Sequence, residues 1–168
     1  MCAGSTPVGG TRDTNRGSPA HDGRFVDDQR ATSTLTTAIF GASDGLVATM
    51  ALILATMRHG HKVVLLAVIG LLIAEGLGMA ASQFLSDPAR DLRLASIMGV
   101  ATSITIILPG VPWAFTSGAV ATVTSCVIGL ALAGVIARER KGGLATWLQT
   151  YGVLIGVGAI ATFAGLIA

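Results

Sequence analysis

No charged residue occurs between Leu94 and Ile136, where the sequence reads LASIMGVATSITIILPGVPWAFTSGAVATVTSCVIGLALAGVI. A membrane-spanning helix needs about 20 mostly apolar residues, so this run is too long for one span and suits two. Near its middle the segment 108–112, Leu-Pro-Gly-Val-Pro, combines two prolines with a glycine, and these residues interrupt helices. The run therefore predicts two spans, at about 94–108 and 113–136, with a turn at 108–112.

Three further apolar segments flank this run. The segments 35–57 and 63–85 precede it and are interrupted by one acidic residue each, Asp44 and Glu75, while 144–167 follows it. Each is long enough to cross a bilayer. The sequence therefore predicts an all-α integral membrane protein with five transmembrane helices.

Composition supports a membrane protein and argues against other classes. Hydrophobic residues make up 52% of the 168 residues and charged residues only 12%, against about 25% charged in an ordinary globular domain. Mean hydropathy is +0.72. A net charge of +2 does not indicate a nucleic-acid partner, and two cysteines do not form a disulfide framework. The sequence has no nucleophile–base arrangement, phosphate-binding loop or cofactor motif, so we expect neither an enzyme nor a bound cofactor.

The first 31 residues differ from the rest of the chain. They are polar and rich in Gly, Ser, Asp and Arg, and a segment with so few apolar residues is typical of disorder. No apolar segment follows a basic start, so a cleavable signal peptide is not expected. The predicted organisation is a disordered tail at 1–31 and a five-helix transmembrane domain at 32–168.

The basic residues predict the orientation of the chain. With the N-terminus inside and the C-terminus outside, the outer loops contain only Arg58 and Lys62 of the 11 Lys and Arg. Basic residues favour the cytoplasmic side of a membrane. We therefore expect an N-in, C-out multi-pass protein in a bacterial plasma membrane, with these residues inside: Arg12, Arg16, Arg24, Arg30, Arg90, Arg93, Arg138, Arg140 and Lys141.

Asp44 and Glu75 are the two acidic residues inside predicted spans. A charge near the bilayer centre costs roughly 2.5–3.5 kcal/mol on insertion scales, so such an acid indicates a functional site. Both lie roughly 14–15 Å below the inner surface at about 1.5 Å per residue, on antiparallel neighbouring helices. They can therefore converge on one divalent cation, and without it repulsion favours proton uptake by at least one. The alternative is that each acid is protonated or hydrogen-bonded and serves packing only.

Met79 and Gln83 follow Glu75 at four-residue steps and therefore share its face of the helix. A thioether is a soft ligand that favours Fe²⁺, Mn²⁺ or a later transition metal over Mg²⁺ or Ca²⁺. The alternative role of Met79 is apolar packing, and Gln83 fits either role. The predicted metal-binding residues are thus Asp44, Glu75, Met79 and Gln83.

Small residues surround both acids. Gly41, Ser43 and Gly45 flank Asp44, and Gly76 follows Glu75. Small residues let helix backbones approach closely in a membrane. We expect these four positions to serve close helix packing. The spacing of Gly41 and Gly45 also fits a weak dimerisation motif, which ordinary packing explains as well.

Two segments resemble a known family. Residues 40–46, Phe-Gly-Ala-Ser-Asp-Gly-Leu, resemble the G-x-S-D-G signature of the first span in the vacuolar iron transporter family, which has nodulin-like and bacterial members. Residues 74–84 resemble the second span of that family, in which Ser-Met precedes Gly-x-Gly-Glu-Tyr. The resemblance covers roughly 32–168 and is most specific in the first span.

This resemblance implies a five-helix protomer that works as a homodimer. The first spans would line a central path, and Fe²⁺ or Mn²⁺ would leave the cytoplasm in exchange for protons. Asp44 would be the ion-binding acid, with Glu75 and Met79 as its partners from the second span.

The sequence also departs from that family. Gly78 replaces the usual Ser, Gln83 the usual Glu and Phe84 the usual Tyr. Only residues 86–93 join the second and third spans, where many members carry a long, Glu-rich, metal-gathering insert. Transport would then depend on the membrane site alone.

The sequence therefore predicts a transporter whose partners are the lipid bilayer, a divalent metal ion, protons and a second copy of the chain. One alternative is a non-transporting membrane protein, derived from this family, whose acids serve structure or assembly. A weaker alternative is a transporter for a different cation or a small cationic solute.

Overall fold

The computed structural model of the protein describes residues 19–140 and 143–167. These residues form six helices and no strand, and a 3-10 turn at Met57–His59 joins the first two helices. The helices are α1 (Pro19–Thr56), α2 (His61–Ser86), α3 (Leu92–Gly110), α4 (Pro112–Phe115), α5 (Gly118–Glu139) and α6 (Leu144–Ile167).

Five helical segments of the described chain are long and apolar enough to cross a membrane. They are Ala31–His59, His61–Ser86, Leu92–Phe115, Gly118–Glu139 and Leu144–Ile167. The prediction of an all-α membrane protein with five spans is confirmed. The N-in, C-out orientation stays a prediction.

The turn between the third and fourth spans lies further along the chain than predicted. Pro109 lies inside α3, and the backbone N–H of Val111 donates to the Ile107 carbonyl at 2.9 Å, so the chain stays helical as far as Pro112. Pro112 then begins α4, a position where proline is tolerated because its missing N–H needs no helical acceptor. The extended residues are Thr116 and Ser117. The third span therefore continues through 108–112, where a turn was predicted.

The chain divides into two compact units, Met1–Thr32 and Ser33–Ala168. Residues 1–18 of the predicted disordered tail lie outside the described residues, and residues 19–31 form the first part of α1. The division into a tail at 1–31 and a transmembrane domain at 32–168 stays a prediction.

Two groups of buried side chains hold the second unit together. One lies toward the short 57–60 connection and joins α1, α2, α3, α4 and α5; its buried members are Ile53, Val64, Val68, Ile106, Trp113 and Ala121. The other joins α1, α5 and α6 through Leu46, Met50, Ala133, Ile136 and Leu154. Trp113 is only 1% exposed, so it belongs to the core of this unit.

The two ends of this bundle carry different residues. One end, the arginine end, carries Arg90, Arg93, Arg138 and Arg140, and the other, the histidine end, carries His59 and His61. Large apolar side chains are exposed on every long helix between them, including Leu66, Val100, Val127 and Ile160. Such a surface is costly in water and suits a lipid environment. Burial by lipid is therefore part of what stabilises this fold.

Candidate metal path

Two glycines of α1 lie against α3 with almost no space between the backbones. A Cβ added at Gly41 would lie 2.7 Å from the Met98 carbonyl oxygen, and one added at Gly45 would lie 2.7 Å from that of Thr102. The Thr102 hydroxyl lies 2.9 Å from the Met98 carbonyl oxygen and 3.1 Å from that of Gly41, so it bridges α3 and α1. Gly41 and Gly45 thus pack against α3 of the same chain, and α3 covers the side of α1 that carries them.

Asp44 and Glu75 lie at about the same level in the bundle. Gly45 packs on Thr102 of α3, and a Cβ added at Gly76 would lie 2.6 Å from Ser103 Oγ, one residue further along. Each acid is the neighbour in sequence of one of these glycines. The backbones at the two acids are therefore level to within about one helical turn of 5.4 Å, and convergence of the two carboxylates on one ion stays a prediction.

Asp44 lies on the exposed side of α1 in the single chain. It lines a cavity of about 290 Å³, which we call the Asp44 cavity. The polar lining comes from the end of α5 and the beginning of α6 as well as from α1, and the full lining is Phe40, Ser43, Asp44, Val47, Arg140, Gln149, Thr150 and Val153. Ser43 is half-buried, and its hydroxyl donates to the Ile39 carbonyl at 2.8 Å. The cavity therefore extends from the acid to the arginine end.

A second cavity, of about 390 Å³, lies between α1, α2 and α3 near the same end, and we call it the Gln83 cavity. Its described lining residues are uncharged and combine hydroxyl and amide groups with one thioether: Thr36, Thr37, Phe40, Ser82, Gln83, Ser86 and Met98. Phe40 lines both cavities and is 59% exposed. The two cavities thus lie on either side of one aromatic side chain.

The predicted ligands are only partly brought together. Gln83 lines the Gln83 cavity and Asp44 lines the Asp44 cavity, while Glu75 and Met79 are half-buried and line neither. Within the described residues, no group of three or more His, Cys, Asp or Glu side chains could hold a metal ion. A four-ligand site formed by Asp44, Glu75, Met79 and Gln83 therefore stays a prediction.

The sequence did not point to three polar side chains near Asp44 or to the thioether near Gln83. Arg140 stood out only as part of a basic cluster that sets orientation, and Gln149 and Thr150 lie on a different span from the acids. Met98 lies in an uncharged run with no ligand beside it in sequence. Only helix packing brings these residues to the two cavities.

A comparison with models of known protein families finds a match in the first two spans. The model described as the VIT family matches residues 35–91. The match supports membership in the vacuolar iron transporter family. It covers the first two spans, including Asp44 and Glu75, and is in line with the family resemblance predicted from residues 40–46 and 74–84. No curated protein and no solved structure matches the chain.

The match to the VIT family suggests a transporter of metal ions. The matched segment ends at Asp91, which caps α3 by accepting a hydrogen bond from the Arg93 backbone N–H at 2.8 Å. Arg140 and the α6 part of the Asp44 cavity lie beyond that segment.

Proposed function

We propose that this protein exports a divalent metal ion, Fe²⁺ or Mn²⁺, from the cytoplasm in exchange for protons. The observation that carries the proposal is the position of Asp44. It is an acidic residue inside an apolar span, it is exposed on the single chain, and it lines a cavity that extends to Arg140 at the arginine end. A carboxylate at such a depth is compensated by a cation or a proton.

The two acids have distinct roles in this proposal. Asp44 binds the cation through its carboxylate oxygens, and Glu75 contributes a second carboxylate at the same level. Met79 adds a soft ligand that favours a transition metal over Mg²⁺. When the cation leaves, its charge is replaced by protons on the carboxylates, which couples metal export to proton entry.

The Gln83 cavity supports entry of a cation from the arginine end. Its hydroxyl and amide oxygens can replace part of the water shell of a metal ion, and no charged side chain is among its described lining residues. The thioether of Met98 lies beside those oxygens, so the cavity combines hard and soft donors.

The path is proposed to lie between two copies of the chain. The side of α1 that carries Phe40 and Asp44 is exposed in the single chain, whereas the side that carries Gly41 and Gly45 is buried against α3. A second copy across the exposed side would place two Asp44 carboxylates along one path and exclude lipid from them.

Flux into proteoliposomes tests the proposal. The Asp44→Asn variant removes the charge with little change in shape, so metal-driven proton movement and Mn²⁺ flux should fall to the level of empty liposomes. Asp91→Asn is the matched control, because asparagine caps a helix as well as aspartate does and Asp91 lies outside the candidate spans. Equal flux in wild type and Asp44→Asn would contradict the role of Asp44.

A non-transporting membrane protein is the second candidate. It is favoured by the finding that Glu75 lines neither the Asp44 cavity nor the Gln83 cavity. In that case the wild type gives no flux of Fe²⁺ or Mn²⁺ above empty liposomes. Competition by Mg²⁺ as strong as that by Mn²⁺ would instead indicate a transporter for other cations.

A further inference from the structure

Arg140 is the one basic side chain that lines the Asp44 cavity, among the residues that the structure describes. It follows the last residue of α5, and its backbone N–H donates to the Ile136 carbonyl at 3.1 Å. Arginines at the end of a span usually extend toward the lipid headgroups. Arg140 instead shares a cavity with the acid of the first span.

The lining of this cavity strengthens an interaction between the two charges. Phe40, Val47 and Val153 make part of its wall apolar, and the remaining lining groups, Ser43, Gln149 and Thr150, are neutral. Opposite charges attract more strongly beside apolar groups than in bulk water, because the effective dielectric constant is lower. The carboxylate of Asp44 thus has one oppositely charged neighbour in its cavity.

We propose that Arg140 is the resident counter-ion of Asp44 in the metal-free protein, and that an incoming metal ion must displace it. The structure shows no direct ion pair between these two described side chains. The guanidinium ends a long, flexible side chain, and the shared cavity gives it room to approach the carboxylate or withdraw to the arginine end. Arg140 is thus a positioning residue that acts through Asp44.

The Gln83 cavity makes this competition effective. It lies on the other side of Phe40, and none of the described residues that line it is charged, so none of them repels an incoming cation. A cation in the Asp44 cavity would meet the guanidinium. The metal therefore approaches Asp44 from the α2 side, while Arg140 approaches it from the α6 side.

The kinetic consequence rests on the proposed transport function. If Arg140 competes with metal for Asp44, its removal should strengthen apparent metal binding. We expect Arg140→Gln to lower the KM for Mn²⁺ about 1.5-fold to fivefold, the range that corresponds to the loss of one exposed ion pair. The kcat should not rise in proportion, because the counter-ion no longer helps to expel the metal.

Two matched variants separate this effect from general electrostatics. Arg140→Lys keeps the charge and should restore a KM near that of wild type. Arg138→Gln removes the same charge from the last turn of α5, at a residue that does not line the Asp44 cavity, and should leave KM unchanged. A KM that Arg140→Gln and Arg138→Gln shift equally, or that neither shifts, would overturn the proposal.

A metal-free measurement tests the pair without transport. Thermal unfolding in detergent with a chelator is compared for wild type, Asp44→Asn, Arg140→Gln and the double variant. Coupled residues give non-additive effects, so Arg140→Gln should lower Tm in the presence of Asp44 and have no effect in Asp44→Asn. Additive effects would overturn the counter-ion while leaving transport intact. Coupling without any Mn²⁺ or Fe²⁺ flux in the wild type would keep the pair and refute the proposed function.

Discussion

Gly45 packs closely against α3, one residue from the acid of the candidate path. A Cβ at this position would lie 2.7 Å from both the Thr102 carbonyl oxygen and Thr105 Oγ1. The first of these atoms belongs to the backbone, so a side chain cannot be accommodated by a change of rotamer alone. Because glycine has only a hydrogen atom as its side chain, α1 can pack this closely against α3 at the residue next to Asp44.

Gly45→Ala should destabilise the protein by about 1–3 kcal/mol, the usual cost of overpacking a close contact. Gly70→Ala is the matched control, because no atom lies within 4 Å of a Cβ added there and alanine favours a helix over glycine. Unfolding of both variants in detergent checks the prediction. A Gly45→Ala protein as stable as Gly70→Ala would show that α1 and α3 are not held this close.

At the residue scale, a charge stands out in the sequence when it lies inside an apolar span, but not when it lies at the end of one, where charges are common. Asp44 and Glu75 are recognisable because an acid in an apolar span is rare. Arg140 is typical of the cytoplasmic end of a span, and nothing in the sequence near it indicates that it lines a cavity with Asp44. Its role depends on the packing of α5 and α6 against α1, which one sequence does not contain.

The third span shows how an element can stay helical through two prolines. Pro109 is buried inside α3, and its carbonyl oxygen accepts a hydrogen bond from Ser125 Oγ of α5 at 2.6 Å. Ser125 is fully buried. The Ser125 hydroxyl of α5 thus donates a hydrogen bond to the α3 backbone at Pro109, and this bond helps to hold α3 to α5.

Ser125→Ala should therefore cost about 1 kcal/mol, the usual net value of a buried hydrogen bond. Thr124→Ala is the control, because Thr124 is exposed and its hydroxyl donates only within its own helix, to the Val120 carbonyl at 2.8 Å. Unfolding in mixed micelles measures both. The contribution of the Ser125 bond is refuted if the two variants lose the same stability.

The number of elements follows from the sequence more readily than their ends do. Five apolar segments of spanning length specify five spans, because the bilayer sets the required length. The turn predicted at 108–112 lies at Thr116 and Ser117 instead, because Pro112 begins a helix as readily as it ends one. Trp113, the residue after Pro112, is buried among the neighbouring helices, and the sequence alone does not reveal such a tertiary contact.

At the scale of the whole molecule, the exposed surface has two kinds of region. Most of it is apolar and suits lipid, as the exposure of Leu66, Val127 and Ile160 shows. The side of α1 with Phe40 and Asp44 differs, because an acid is exposed there inside a candidate span. Lipid offers a carboxylate neither a hydrogen bond nor an opposite charge. A second copy of the chain facing that side would exclude lipid from Asp44, and this is the dimer proposed above.

Cysteine cross-linking tests this arrangement directly. In a closed dimer with twofold symmetry, a residue near the axis meets its own copy. Phe40→Cys, in a background in which Cys2 and Cys126 are serine, should therefore form a disulfide-linked dimer on mild oxidation in dilute proteoliposomes. Val135→Cys is the matched control: Phe40 and Val135 are both 59% exposed, and both lie toward the arginine end, but Val135 is on α5.

The two variants meet lipid and oxidant equally, so only the interface distinguishes them. A disulfide requires Cβ atoms about 3.5–4.5 Å apart, a separation that chance encounters in dilute membranes rarely hold. Dimer formation by Phe40→Cys but not by Val135→Cys would place two copies of the first span side by side, with Asp44 one turn away on the same side. Equal cross-linking of both variants, or of neither, would refute a path between two copies and leave each chain to compensate the charge of Asp44 by itself.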